Sequence, residues 1–169
     1  MLEKRSFYEE SSRVPLLISI PSLTNQTEIT GNFSHIDPVP TILDLLGQQI
    51  PSHLPGESRL AVLEGKETLD SNDVLSNGMG YERDILTEVK QTIEIDRMNH
   101  SMWRSILCDR WKLNLCSGDQ NELFDLNSDP YEENNLFDLA EHKDRIRDMA
   151  ARIRLWQNRT GDKASLPDV

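Results

Sequence analysis

Three short segments near the C-terminal end of the chain constrain its fold most strongly. SMWRSILC, WKLNLC and NELFDL are rich in apolar and β-branched residues, and only the turn-like Asp109-Arg110 and Ser117-Gly118-Asp119 separate them. Strands joined by such short turns must run antiparallel. Together with DILTEVKQTIEI at 84–95, which has the same character, they predict an antiparallel sheet.

An amphipathic helix is predicted after this sheet, over about Leu139 to Asn158. Its apolar residues recur at helical spacing, and Gly161 follows as a stop signal. The stripe consists of Ile146, Met149, Ala150, Ile153 and Trp156. Such a stripe is typical of packing, so we expect this helix to lie against the sheet.

The N-terminal half has an α/β pattern instead. VPLLISI, at Val14 to Ile20, is apolar on consecutive positions, which is typical of a strand buried on both faces. In the segment after it, Asp37 is a suitable N-cap and Pro38 a suitable first residue of a helix, which Gly47 would end. Its predicted apolar face is formed by Val39, Ile42, Leu43 and Leu46.

Residues 48–80 are rich in turn formers. They predict a short helix near Ser58 to Leu63, and SNDVLSNGMGYERD is expected to be an exposed connection. Two acidic pairs, Glu9-Glu10 and Glu132-Glu133, are expected on solvated surfaces, and the spacing of Glu9 and Arg13 allows an ion pair within one helical turn.

The charge balance limits the partners of the chain. Its 169 residues carry a formal net charge of −11, which argues against nucleic-acid binding and requires local positive charge at any anion site. No apolar run is long enough for a membrane span, and the N-terminus lacks the apolar region of a signal peptide. The sequence leaves open whether Cys108 and Cys116 form a disulfide across a hairpin, although separate, partly buried thiols are favoured.

Motifs of common catalytic sites are missing from the chain. Phosphate-binding loops, paired metal-ligand patterns and a Gly-x-Ser-x-Gly nucleophile motif do not occur, and the four histidines are scattered without ligand spacing. These patterns alone predict a mixed α/β chain with an antiparallel appendage, but no activity.

Four stretches in order resemble type I sulfatases. They are EKRSFYEESSRVPLLISIPS, with Lys-x-x-x-Tyr-Glu; SHIDPVPTILDLLGQQIP, with Asp-x-x-Pro-Thr; LPGESRL, in which Arg59 interrupts the family's Gly-x-Ser-Leu-like turn; and SILCDRWKLNL…ELFDLNSDPYEENNL. In the last stretch, Phe124 replaces the usual Tyr. The resemblance covers residues 3 to about 157.

The resemblance implies the C-terminal part of an alkaline-phosphatase-like α/β fold. Residues 1–80 would hold its last core strand and helix, and residues 81–169 would form a small subdomain with a four-stranded antiparallel sheet and a packed C-terminal helix. Enzymes of this family hydrolyse sulfate esters with a formylglycine nucleophile and a Ca²⁺ ion. Their usual compartments are the periplasm, the lysosomal lumen or the exterior of the cell, but the compartment of this chain is left open.

Most catalytic motifs of the family are absent from this sequence. Cys108 and Cys116 are not followed by x-Pro-x-Arg, the context in which formylglycine forms, and the paired acidic metal ligands do not occur. Lys4 alone matches a site residue, the lysine whose ammonium group contacts the sulfate. We therefore expect a C-terminal fragment or half of a sulfatase, inactive by itself, with an upstream catalytic half as its partner.

Two alternatives to a sulfatase fragment stay open. One is a non-catalytic binding or interaction module, and the other is a fragment of a related phosphoesterase of the same superfamily.

Overall fold

A computed structural model describes residues 7–21, 27–70, 72–79 and 102–169 of the chain. The chain divides into two compact units: residues 13–74 form one, and residues 1–12 and 75–169 form the other. We call them the helical unit and the sheet unit. The division predicted from sequence, 1–80 and 81–169, stays a prediction.

The sheet unit is built on a four-stranded sheet in the order β1-β2-β3-β4. The strands are β1 (Val74–Met79), β2 (Met102–Cys108), β3 (Trp111–Cys116) and β4 (Glu122–Asp125). The β2-β3 and β3-β4 pairs are antiparallel, as predicted. The expectation of an exposed connection at β1 was wrong, because this segment supplies the first strand, and the predicted strand at 84–95 lies outside the described residues.

The β2-β3 hairpin turns at Asp109-Arg110, as its sequence predicted. Cys108 pairs with Trp111 across this turn, and Asp109 has a φ of 52°. Cys116 pairs with Trp103 at the opposite end of the hairpin. The two thiols therefore lie far apart and are not bridged, with Cys108 half-buried and Cys116 buried.

One face of the sheet packs against a long C-terminal helix. A 3₁₀ turn, Ala140–His142, leads into α4 (Lys143–Thr160), which ends at Gly161 with a φ of 73°. The predicted stripe is confirmed except at its end, where Gln157 is buried and Trp156 only partly so. The core consists of Ile106, Trp111, Leu113, Leu115, Leu123, Ile146, Met149, Ala150 and Ile153.

Arg104 joins the same face of the sheet to the segment after α4. Its guanidinium donates to both carboxylate oxygens of Asp162, from Nε and from Nη2, each at 2.6 Å. This bidentate pair, which is largely buried, holds the pKa of Asp162 well below its usual range.

Among its described residues, 13–21, 27–70 and 72–74, the helical unit has two short helices. These are α2 (Pro38–Leu45), whose C-terminal Gly47 has a φ of 65°, and α3 (Leu60–Leu63). Gly47 N–H bonds to the Asp44 carbonyl and Gln48 N–H to the Leu43 carbonyl, which is the Schellman arrangement. Both helices and the glycine stop were predicted.

Two packing predictions for the helical unit were wrong. Val14 to Ile20 is not a strand: Leu17 is 97% exposed, and Ile20 alone in this segment is buried. Strand formation needs a neighbour to complete the hydrogen-bond ladder, and within the described residues the sheet contains only β1 to β4. On α2, Val39, Ile42 and Leu46 are all more than half exposed, while Pro40 and Thr41 are buried. An apolar stripe identifies a face but not whether something covers it.

Candidate functional site

Residues 7–12 lie on the second face of the sheet. Lys4 itself is outside the described residues, so its predicted role stays a prediction. Residues 7–12, which include α1 (Glu9–Ser12), belong to the sheet unit. The Phe7 ring centroid is 6.4 Å from that of Trp103, and the Tyr8 ring meets Phe124 edge-on at 6.1 Å. We call residues 7–12 the N-terminal segment.

Lys112 is the central residue beneath this segment. Strand alternation directs Trp111 and Leu113 toward α4 and Lys112 toward the other face, where it is 2% exposed. Its Nζ lies 3.0 Å from Glu9 Oε1, 2.9 Å from Glu132 Oε1 and 3.5 Å from Ser12 Oγ. The ammonium group therefore binds two carboxylates from distant parts of the sequence. We call Lys112, Glu9 and Glu132 the buried ion cluster.

Glu132 also holds the backbone of the N-terminal segment. The Glu9 N–H donates to Glu132 Oε2 at 2.5 Å, so Glu9 is fixed through both its main chain and its carboxylate. Burial raises the pKa of Glu132, while the Glu9 N–H and the Lys112 ammonium act in the opposite direction. Glu132 has a φ of 57°, an uncommon conformation for a residue with a side chain.

A second connection lies beside the buried ion cluster. Tyr8 Oη donates to Glu122 Oε1 at 2.9 Å, and Asn114 Nδ2 donates to Glu122 Oε2 at 3.0 Å. Burial, together with the adjacent Glu122, raises the pKa of Tyr8 to about 12. The phenol thus keeps its proton near neutral pH and remains a hydrogen-bond donor to this carboxylate.

These contacts unite three of the stretches on which the sulfatase resemblance rests. Glu9 comes from Lys-x-x-x-Tyr-Glu, Lys112 from the Trp-Lys strand, and Glu132 from Asp-Pro-x-Glu. Sequence reasoning missed the cluster, because it placed Glu132 on a solvated surface and considered Arg13 as the partner of Glu9. The available signal was Lys112, a charged residue within the otherwise apolar WKLNLC strand.

A separate polar network fixes the helical unit. Asp37 Oδ1 accepts the Glu57 N–H at 3.0 Å, and Oδ2 accepts Arg59 Nε at 2.9 Å. Arg59 Nη2 donates to Asn72 Oδ1 at 2.6 Å. Asp37 is at the predicted cap position of α2. The structure describes the whole first turn of this helix, and the Asp37 carboxylate makes no hydrogen bond to it. It connects α2 to the loop carrying Arg59, the residue that interrupts the family motif.

The described residues do not fit a Ca²⁺ site. Within 7–21, 27–70, 72–79 and 102–169, no group of three His, Cys, Asp or Glu side chains is arranged to hold a metal ion. In the same ranges no helix has the length and apolar character needed to cross a bilayer. What the buried ion cluster can do is hold a segment of backbone in place, because Lys112 itself is shielded from solvent.

Comparisons with known proteins give the family context. The model of the family described as N-sulphoglucosamine sulphohydrolase, C-terminal, matches residues 1–159. N-acetylglucosamine-6-O-sulfatase of Bacteroides thetaiotaomicron is 31% identical over 146 residues, covering 83% of this chain and 24% of that protein. The chain spans about a quarter of the length of the first curated relatives that it matches.

Solved structures show the same fold. A 2-O GAG sulfatase superposes with a TM-score of 0.58 and 21% identity, covering 79% of this chain and 27% of that one. The phosphonate monoester hydrolase of Agrobacterium radiobacter gives a TM-score of 0.55 and 25% identity, covering 73% and 24% respectively. The predicted mixed α/β fold with its four-stranded sheet and C-terminal helix is thereby confirmed as that of the C-terminal part of alkaline-phosphatase-like enzymes. The chain belongs to the sulfatase family, and specifically to its N-sulphoglucosamine sulphohydrolase C-terminal group.

Proposed function

We propose that this chain forms the C-terminal part of a sulfuric ester hydrolase in which Lys4 binds the sulfate group of the substrate. The observation that carries the proposal is the family match over residues 1–159, which includes the Lys-x-x-x-Tyr-Glu stretch. The similarity to an N-acetylglucosamine-6-O-sulfatase supports a sulfated amino sugar as the substrate class.

The chemistry of sulfate ester cleavage suits a lysine at this position. Negative charge increases on the transferring sulfuryl group and on the leaving oxygen, and a fixed ammonium group stabilises that charge. The chain as a whole has a formal net charge of −11 and would repel an anionic substrate from a distance. Local positive charge from Lys4 and the adjacent Arg5 offsets this repulsion.

The nucleophile and the metal are assigned to the remainder of the enzyme. The resemblance implies formylglycine and Ca²⁺ for full-length enzymes, but the described residues do not fit the ion and neither cysteine has the maturation context. This chain contributes charge and a folded support for the N-terminal segment. The proposed partner is therefore an upstream catalytic half.

Turnover of defined esters tests the proposal. The chain is purified alone, and also joined to the polypeptide encoded upstream and matured to formylglycine with Ca²⁺ present. Glucosamine 6-sulfate, an aryl sulfate and a phosphonate monoester are the three substrates. We expect sulfate release from the joined form and none from the chain alone.

Two results would contradict this expectation in different ways. Sulfate release by the chain alone, insensitive to chelation, would show that it needs no upstream half. A joined form that prefers the phosphonate monoester would support a phosphonate hydrolase instead, the second candidate favoured by the structural similarity to the enzyme of Agrobacterium radiobacter.

A further inference from the structure

The buried ion cluster is an unusual way to attach a short peptide segment to a sheet. Lys112 is 2% exposed at the middle of β3, and Glu132 is 8% exposed. Removing charges from water is costly, so that apolar residues of similar size commonly stabilise a protein as well as a buried ion pair does. Stability alone is therefore a weak explanation for a lysine at this position.

Ionic and hydrogen-bonding groups differ from apolar contacts in fixing direction as well as position. Glu9 is held at its carboxylate by Lys112 and at its N–H by Glu132. Tyr8 is held at its hydroxyl by Glu122. Two consecutive residues of the N-terminal segment thus have three directional bonds to other parts of the sheet unit. This arrangement fixes both the place and the rotation of the backbone at Tyr8 and Glu9.

We infer that Lys112, acting with Glu132 through Glu9, is a positioning residue for sulfate ester hydrolysis, because it fixes Glu9, five residues after the proposed catalytic Lys4. This inference rests on the proposed function. Lys112 does not touch the substrate. Its role is to set the alignment of another ammonium group, for which a displacement of about 1 Å can cost about 10²-fold in rate.

The first test compares two buried ion pairs on opposite faces of the same sheet. In the joined, matured enzyme, Lys112→Met removes the cation beneath the N-terminal segment. Arg104→Met removes the cation that binds Asp162 on the α4 face and serves as the matched control. We expect Lys112→Met to lower kcat by about 10²-fold with KM changed less than about threefold. Arg104→Met should have the same kcat as the wild type at temperatures where the enzyme is folded.

A double variant distinguishes a positioning role of Lys112 from a general loss of folded structure. If Lys112 acts through Lys4, then Lys112→Met should add little to the loss of kcat already caused by Lys4→Ala, because residues that act as a unit are not additive. Fully multiplicative losses would overturn the inference. So would a kcat of Lys112→Met equal to that of Arg104→Met.

Hydrogen exchange gives a readout that does not depend on turnover. In the chain alone, Lys112→Met should accelerate exchange of the Glu9 amide by about tenfold or more, while the amides of β4 change little. Should Lys112→Met not fold, Glu132→Gln is measured in its place with the same expectation. Unchanged exchange at Glu9 would overturn the inference. Absence of sulfatase activity in the unmodified joined enzyme would instead overturn the proposed function.

Discussion

Buried charged residues on the two faces of the sheet respond to acid in opposite directions. Asp162, bound by Arg104, has a pKa held below its usual range, whereas burial raises the pKa of Glu132 next to Lys112. A carboxylate with a lowered pKa in the folded state stabilises the fold above its unfolded pKa, and this stabilisation is lost on acidification. A carboxyl group with a raised pKa has the reverse effect, because the folded state takes up its proton first.

This difference predicts the pH dependence of two matched variants. Asp162→Asn should lower the free energy of unfolding by about 2 kcal/mol near pH 7, since it removes charged hydrogen bonds to Arg104. This difference in stability between wild type and variant should shrink as pH falls below about 4, the ordinary pKa range of an aspartate. The reason is that the lowered pKa of Asp162 then contributes progressively less to the stability of the wild type. Urea unfolding at pH 7, 5, 4 and 3 measures this.

Glu132→Gln is the counterpart in the same titration. The stability of the wild type relative to this variant should increase as pH falls through the raised pKa of Glu132, because protonation relieves the cost of its buried charge. Parallel pH profiles for both variants would show that the assigned environments of the two carboxyl groups are wrong.

At the scale of elements, the accuracy of sequence-based prediction depends on how local the determinants are. The β2-β3 turn, the stripe of α4 and the glycine stops at Gly47 and Gly161 were predicted because turn chemistry and helical spacing lie within a few residues. The prediction of a strand at Val14 to Ile20 was wrong, because an apolar run indicates hydrophobicity but not the presence of a neighbouring strand to pair with. β1 was missed because its polar, glycine-containing sequence, VLSNGM, lacks the usual strand signal.

Two glycines of the helical unit give a matched test of its packing. A Cβ at Gly47 would meet nothing within 4 Å, so Gly47→Ala costs only the strain of a positive φ, about 1 kcal/mol. A Cβ at Gly56 would overlap the carbonyl oxygen of Ile36, which is backbone and cannot rotate away. Gly56→Ala should therefore cost about 3 kcal/mol or more. Equal unfolding midpoints for the two variants in urea would contradict the packing of this loop.

At the scale of the whole molecule, the contacts that matter most connect parts of the chain about 100 residues apart. Lys112 meets Glu9, the Glu9 N–H meets Glu132, and Tyr8 meets Glu122. Local patterns cannot predict such pairs. The family resemblance implied a sulfate contact for Lys4 but assigned no role to Lys112 or Glu132. The sheet unit assigns them a shared task, which is to hold the N-terminal segment.

The most direct measurement of the central claim is the effect of Lys4 on sulfate ester turnover. In the joined, matured enzyme, kcat/KM for glucosamine 6-sulfate is compared between wild type and Lys4→Ala, with the exposed Lys66→Ala as the control for loss of one positive charge. We expect Lys4→Ala to lower kcat/KM by about 10²- to 10³-fold, as for loss of a group that stabilises developing charge, and Lys66→Ala to leave it unchanged. An unchanged kcat/KM in Lys4→Ala would contradict the account.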